Sequence, residues 1–251
     1  MRAILIVTYT LIVLFYSNCS PKTEPQPLYS VQVSVLVDIT DKREVLPDAE
    51  TLLSYYDLDK SKNTEAFFRL TTTTDKLFNP VAEIHLPSGD ESEKDNQLDD
   101  PDFREKVVLD FYSNVRQSIS SFNEKARKDT VIEHSECFRS IARELARMKE
   151  NKTDKTLLVV YSDLAENSDL LNVYSKTDLE LLMKHPNSVV KKFEATNLLP
   201  QNLYGYTVLF IFQPKNRAED ILFEKITTLY QNMLKARGAK VVIRSDNPKS
   251  I

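Results

Sequence analysis

Two aspartates follow apolar runs and lead into hydroxyl-bearing turns. Asp38 lies in Asp38-Ile39-Thr40-Asp41-Lys42, after Val31–Val37, and Asp163 lies in Ser162-Asp163-Leu164-Ala165-Glu166-Asn167-Ser168, after Thr156–Tyr161. Between them in the chain, Ser135 precedes a stretch that carries Phe138 and Ile141 at helical spacing. Carboxylates and hydroxyls are hard oxygen donors, the set that suits Mg²⁺ with retained waters. Asp38, Thr40, Ser135 and Asp163 are therefore the candidate metal ligands. The competing expectation has no metal: Asp38 and Asp163 in caps and ion pairs at strand ends, Thr40 and Ser135 as N-caps of the helices that follow. Lys42 bears on the choice. At about 4 Å and an effective dielectric of about 20, two unit charges interact by roughly 4 kcal/mol, and a dication doubles this. Lys42 must point away, or its ammonium substitutes for the cation between Asp38 and Asp163. The cofactor expectation is accordingly none, or Mg²⁺.

Other chemistries find little support. The chain has only three glycines, Gly89, Gly205 and Gly238. That leaves no Gly-rich phosphate loop, dinucleotide fingerprint or nucleophile elbow. His85, His134 and His185 show no zinc spacing. The polar stretch 87–102 is rich in acids but lacks the order of a calcium loop and reads as a solvated loop. The net charge of −4, with no basic face, argues against nucleic acid as a partner. Cys137 lies at helical spacing from Phe138, Ile141 and Leu145, which favours a place in the core over reactivity.

The elements that must position these residues follow from periodicity. Strands are expected at 31–37, 66–71, 81–86, 156–161, 206–212 and 241–243, with the third antiparallel at an edge. The runs at 156–161 and 206–212 have no polar alternation, as in parallel strands covered on both faces. Helices are expected at 48–57, 103–128, 136–149, 169–185, 189–195 and 218–237, the fourth broken near 175–178 and ended by Pro186. In the last helix Ile221, Leu222, Ile226, Leu229, Tyr230 and Met233 are expected to face the core, with Gly238 as C-cap. Strands alternating with helices imply an α/β, three-layer αβα fold with a mostly parallel central sheet and one antiparallel edge strand. Ligands of such sheets gather at the carboxyl ends of central strands, where Asp38 and Asp163 fall.

At these residues the chain resembles the von Willebrand factor A (VWA) domain, a Rossmann-type family of metal-dependent adhesion and interaction modules. The family's first motif, Asp-x-Ser-x-Ser, is matched by Asp38-Ile39-Thr40-Asp41-Lys42. Its threonine before a helix corresponds to Ser135, and its last aspartate to Asp163. The resemblance covers about residues 31–244 and rests on element order more than on any motif. Lys42 departs from the pattern, as do the missing glycines beside Ser135 and after Asp163. The implied metal site is thus a degenerate one.

The N-terminus resembles a bacterial lipoprotein signal. Met1-Arg2 precedes an uncharged apolar stretch, Ala3 to Tyr16, and then Ser17-Asn18-Cys19. The stretch is shorter than the roughly 20 residues that span about 30 Å of hydrocarbon. The expected organisation is a signal peptide at 1–18, lipidated Cys19 with a flexible tether at 19–30, the VWA-like domain at 31–245 and a tail at 246–251. The resemblance implies a lipid-anchored protein of the bacterial cell envelope, facing the periplasm or the exterior. The leading expectation is a non-enzymatic interaction module whose partners are the membrane, through its anchor, and an envelope protein or peptide. The alternative is an envelope enzyme that uses Asp38, Asp41 or Asp163 in hydrolytic or phosphoryl chemistry; the acid such phosphotransferases place two residues after the first aspartate is Thr40 here.

Overall fold

A computed structural model describes residues 29–40, 45–56, 58, 64–73, 80–88, 101–127 and 135–248. Cys19 and Lys42 lie outside the described residues. Six strands form one sheet: β1 (Tyr29–Val37), β2 (Thr64–Thr72), β3 (Pro80–Leu86), β4 (Lys155–Tyr161), β5 (Tyr206–Ile211) and β6 (Lys240–Arg244). Their order is β3-β2-β1-β4-β5-β6, parallel except for the β2–β3 pair. The sheet is flanked by helices on both faces, a three-layer αβα arrangement of α/β class.

The helices are α1 (Ala49–Leu53), α2 (Pro101–Ala126), α3 (Cys137–Met148), α4 (Lys176–Lys184), α5 (Pro186–Glu194) and α6 (Arg217–Lys235). Strand alternation divides the core in two. Val31, Val33, Val35 and Val37 of β1 pack with Phe111, Val115 and Ile119 of α2 and with Leu52 of α1. On the other face Leu36, Leu158, Val160 and Phe210 pack with Phe138 and Leu145 of α3, Phe193 of α5 and Tyr230 of α6. Val35, Val159 and Phe210 are fully buried, as their apolar runs predict.

Three expectations need correction. The segment expected to be helical from 169 becomes so only at Lys176. Pro186 does not simply end a helix; it begins α5 at the first helical position, where a missing N–H costs nothing. Ile221 is exposed, because it shares the outer stripe of α6 with Glu224, Lys225 and Thr228 while Phe223, Ile226 and Tyr230 face inward. Gly238, with φ of 91°, follows α6 where Ala239 N–H donates to the Leu234 carbonyl at 3.1 Å.

Candidate functional site

The strand order reverses between β1 and β4: β2 and β3 continue on one side, β5 and β6 on the other. In open α/β sheets this switch point, at the carboxyl ends of the strands, is where a crevice forms. Asp38 follows β1 there, and its N–H extends the ladder by donating to the Tyr161 carbonyl at 2.7 Å.

The Asp38 carboxylate is 2% exposed. Its Oδ1 accepts from Thr40 Oγ1 at 2.7 Å and Thr40 N–H at 3.0 Å. Its Oδ2 accepts from Ser162 Oγ at 2.9 Å, Ser135 Oγ at 3.0 Å and, more weakly, the Cys137 thiol at 3.6 Å. A carboxylate offers about four lone-pair positions. Thr40, Ser135, Ser162 and Cys137 fill them, so a cation could reach Asp38 only by displacing a donor.

Three of the four predicted residues thus meet directly: Asp38, Thr40 and Ser135. Asp163 stands next to Ser162 in the same turn, where its Oδ1 accepts from the Ala165 N–H at 2.8 Å. Neither hydroxyl caps a helix as the competing expectation had it. Asp48 caps α1, accepting from Thr51 N–H at 2.8 Å, and the residue before α3 is Glu136. Ser135 and Thr40 spend their hydroxyls on Asp38 instead. Among the described residues, no group of three or more His, Cys, Asp or Glu side chains could hold a metal ion.

Cys137 is in the core, as its spacing predicts, but it also touches the site, 3.1 Å from Ser135 Oγ. Burial pushes its thiol well above the usual range, and the charges of Asp38 and Glu166 push it further. The thiol therefore stays protonated and is no nucleophile.

The loop from Ser162 to Ser175 follows β4 at this end of the sheet and leads into α4. Its polar side chains bond their own backbone two residues on: Ser162 Oγ accepts from Leu164 N–H at 2.8 Å, Ser168 Oγ from Leu170 N–H at 3.2 Å, and Asn172 Oδ1 from Tyr174 N–H at 2.9 Å. Such bonds compete with helix formation, which explains why 169–175 is not helical. Leu164 adopts φ of 59°, the left-handed region, where the resemblance expects a glycine after Asp163. Its side chain is fully buried, which anchors the loop to the core with Leu171 and Val173.

Glu166, 1% exposed, ties this loop to α3: its Oε2 accepts from Phe138 N–H at 2.8 Å, and Asn167 N–H donates to the Ser135 carbonyl at 2.9 Å. Burial raises the Glu166 carboxyl to about 7, against the opposing pull of Ser168 and the Phe138 N–H. On the outside, Arg139 grips Asp169 with both terminal nitrogens, and Tyr174 stands 73% exposed.

Ser162, Cys137 and Glu166 are the site residues that sequence reasoning did not select. Ser162 was discoverable, since a residue immediately after a central strand faces the same crevice as Asp38. Glu166 had no signal beyond its acid among small polar neighbours. The chain matches no protein-family model, no curated protein and no solved structure.

Proposed function

We propose that this chain is a non-enzymatic interaction module with a degenerate VWA-like site, tethered to a bacterial envelope membrane through lipidated Cys19. It would present the β1–β4 switch-point face to another envelope protein or peptide. The observation that carries this reading is the closed hydrogen-bond set of Asp38. A carboxylate already supplied by Thr40, Ser135 and Ser162 is built to hold three loops in register, not to take a proton from a substrate or to hold Mg²⁺. The held loops then offer a fixed outer surface, with the Arg139–Asp169 pair and the exposed Tyr174 ring available for contact. Aromatic and arginine side chains of this kind dominate binding energy where a partner excludes water from them.

Crosslinking in the native cells tests the face. Partner capture should fall sharply in Tyr174→Ala and Arg139→Ala, and remain in Ile221→Ser on the far helix α6. Equal capture by all three variants would refute the assignment. For the anchor, the intact mass of membrane-extracted protein should show loss of residues 1–18 and added lipid. Mg²⁺ should leave the wild-type unfolding temperature unchanged, while Lys42→Ser tests whether an ammonium substitutes for the metal: calorimetric Mg²⁺ binding gained only in that variant would mark a degenerate site. Turnover of a hydrolase and phosphatase substrate panel by the wild-type chain would contradict the non-enzymatic reading.

A further inference from the structure

The α3 side of the sheet carries a cavity away from the switch point. On β2 and β3 the residues that alternate with the buried Ala66, Phe68 and Leu70 are Glu65, Phe67, Arg69, Glu83 and His85, and no buried cluster includes them. This half-open cavity of about 230 Å³ lies among them, lined also by Arg147 of α3 and, at its rim, Asn151.

Gln32 of β1 lines this cavity and is 1% exposed, yet its Oε1 has no hydrogen-bond partner. A buried amide oxygen left unpaired costs about 1–3 kcal/mol. The other residues of β1 on this face are Ser30, Ser34 and Leu36; the two serine hydroxyls are paired, with Asp154 and Glu144, and the Gln32 oxygen is not. Gln32 is an acceptor waiting for a donor.

The surroundings define that donor's chemistry. Gln32, Phe67 and His85 form one cross-strand row, and the Phe67 and His85 rings lie parallel with centroids 4.4 Å apart. Ser34, Arg69 and Glu83 form the next row. The two arginines are already neutralised. Glu144 accepts from Arg69 Nε at 3.2 Å and from an Arg147 terminal nitrogen at 2.7 Å, and Arg69 also pairs with Glu83. The cavity therefore makes no demand for an anion. It offers instead directional donors and acceptors (the Gln32 and Asn151 amides, guanidinium edges) beside an aromatic wall. Its volume falls below the roughly 300 Å³ at which pockets for drug-sized ligands begin.

A small neutral ring that is apolar on its face and hydroxylated at its edge meets all of these conditions. We propose that this cavity binds a single neutral sugar ring, a ring hydroxyl donating to Gln32 Oε1 and the apolar ring face lying against Phe67. This goes beyond the switch-point reading and does not depend on it.

The test uses the full chain in a detergent without a sugar head group. Glucose, galactose, mannose, N-acetylglucosamine and inorganic phosphate are titrated separately by saturation-transfer NMR and calorimetry. At least one sugar should bind saturably and phosphate should not. Gln32→Met keeps length but removes the acceptor. It should weaken that sugar by about tenfold or more, one lost hydrogen bond's worth, while raising the unfolding temperature. Asn151→Ala at the rim provides the same reading should Gln32→Met fail to fold. The proposal is overturned if no sugar binds saturably, if phosphate binds and competes with the sugars, or if the foldable variant binds sugar as wild type does.

Discussion

Among the described residues, the partners of the buried Asp38 side chain are the Thr40, Ser135 and Ser162 hydroxyls, the Thr40 N–H and the Cys137 thiol, and no Lys or Arg pairs with it. Asp38→Ala strands the Ser135 and Ser162 hydroxyls and the Thr40 N–H together. Each unsatisfied buried group costs about 1–3 kcal/mol. The variant should lose on the order of 3 kcal/mol in urea unfolding, and Asp38→Asn, which keeps one acceptor and the shape, should lose less. A loss under about 0.5 kcal/mol in Asp38→Ala would show that the knot is not structural. Glu166 makes a prediction of opposite kind. Its carboxyl is raised in the fold, to about 7, so the folded chain binds a proton that the unfolded chain has released. Stability contributed by the protonated acid is intact below the ordinary carboxylate range, declines as pH rises toward 7, and is flat beyond. The penalty at pH 8 is about 3 kcal/mol. Glu166→Gln keeps the acceptor for Phe138 N–H without a charge. It should abolish that decline and stabilise the chain at pH 8 while changing little at pH 4; a wild-type stability that is level from pH 4 to 8 would contradict the raised value.

At the scale of elements, legibility followed the strength of the pattern. The apolar runs of β1, β4 and β5 and the three-to-four spacing of Phe111, Val115, Ile119 and Phe122 in α2 gave strands and helices within a residue or two, because burial on both faces or on one stripe leaves few alternatives. The fold class followed from their alternation. The loop from Ser162 to Ser175 was not legible. Its Ser and Asn side chains bond their own backbone, and Leu170, Leu171 and Val173 mimic a helical stripe while anchoring a loop instead. The candidate site was legible in Asp38, Thr40 and Ser135 but not in its saturation, which depends on Ser162 from the end of β4 and on Cys137, two residues after Ser135. Leu164 separates backbone from packing here. Its left-handed backbone costs about 1–2 kcal/mol, which Leu164→Gly would relieve. Removing a fully buried leucine side chain costs about 2–5 kcal/mol. The second effect wins, so Leu164→Gly should unfold at lower denaturant concentration than wild type; a more stable variant would mean that the loop is held by strain rather than by its anchor.

For the whole molecule, β1 is the axis. It pairs with β2 over Tyr29–Val37 and with β4 over Val31–Val37, so the central strand is bonded on both sides along nearly all its length. It starts at the amino end of the sheet, where the proposed tether would join, and delivers Asp38 to the carboxyl end. At about 3.3 Å per residue, its nine residues set these poles on the order of 30 Å apart.

That axis has a mechanical consequence. A partner pulling on the Asp38 end against an anchor at the Tyr29 end would load β1 along its own length. Two ladders would then bear the force in shear, their bonds sharing the load instead of opening one after another. Force applied across the sheet at the edge strand β6, which is bonded to β5 alone, would peel bonds in sequence. In single-molecule pulling, handles at residues 29 and 169 should require a markedly higher rupture force than handles at 206 and 240. Equal forces would mean that the central strand is not the load path between the two ends of the sheet.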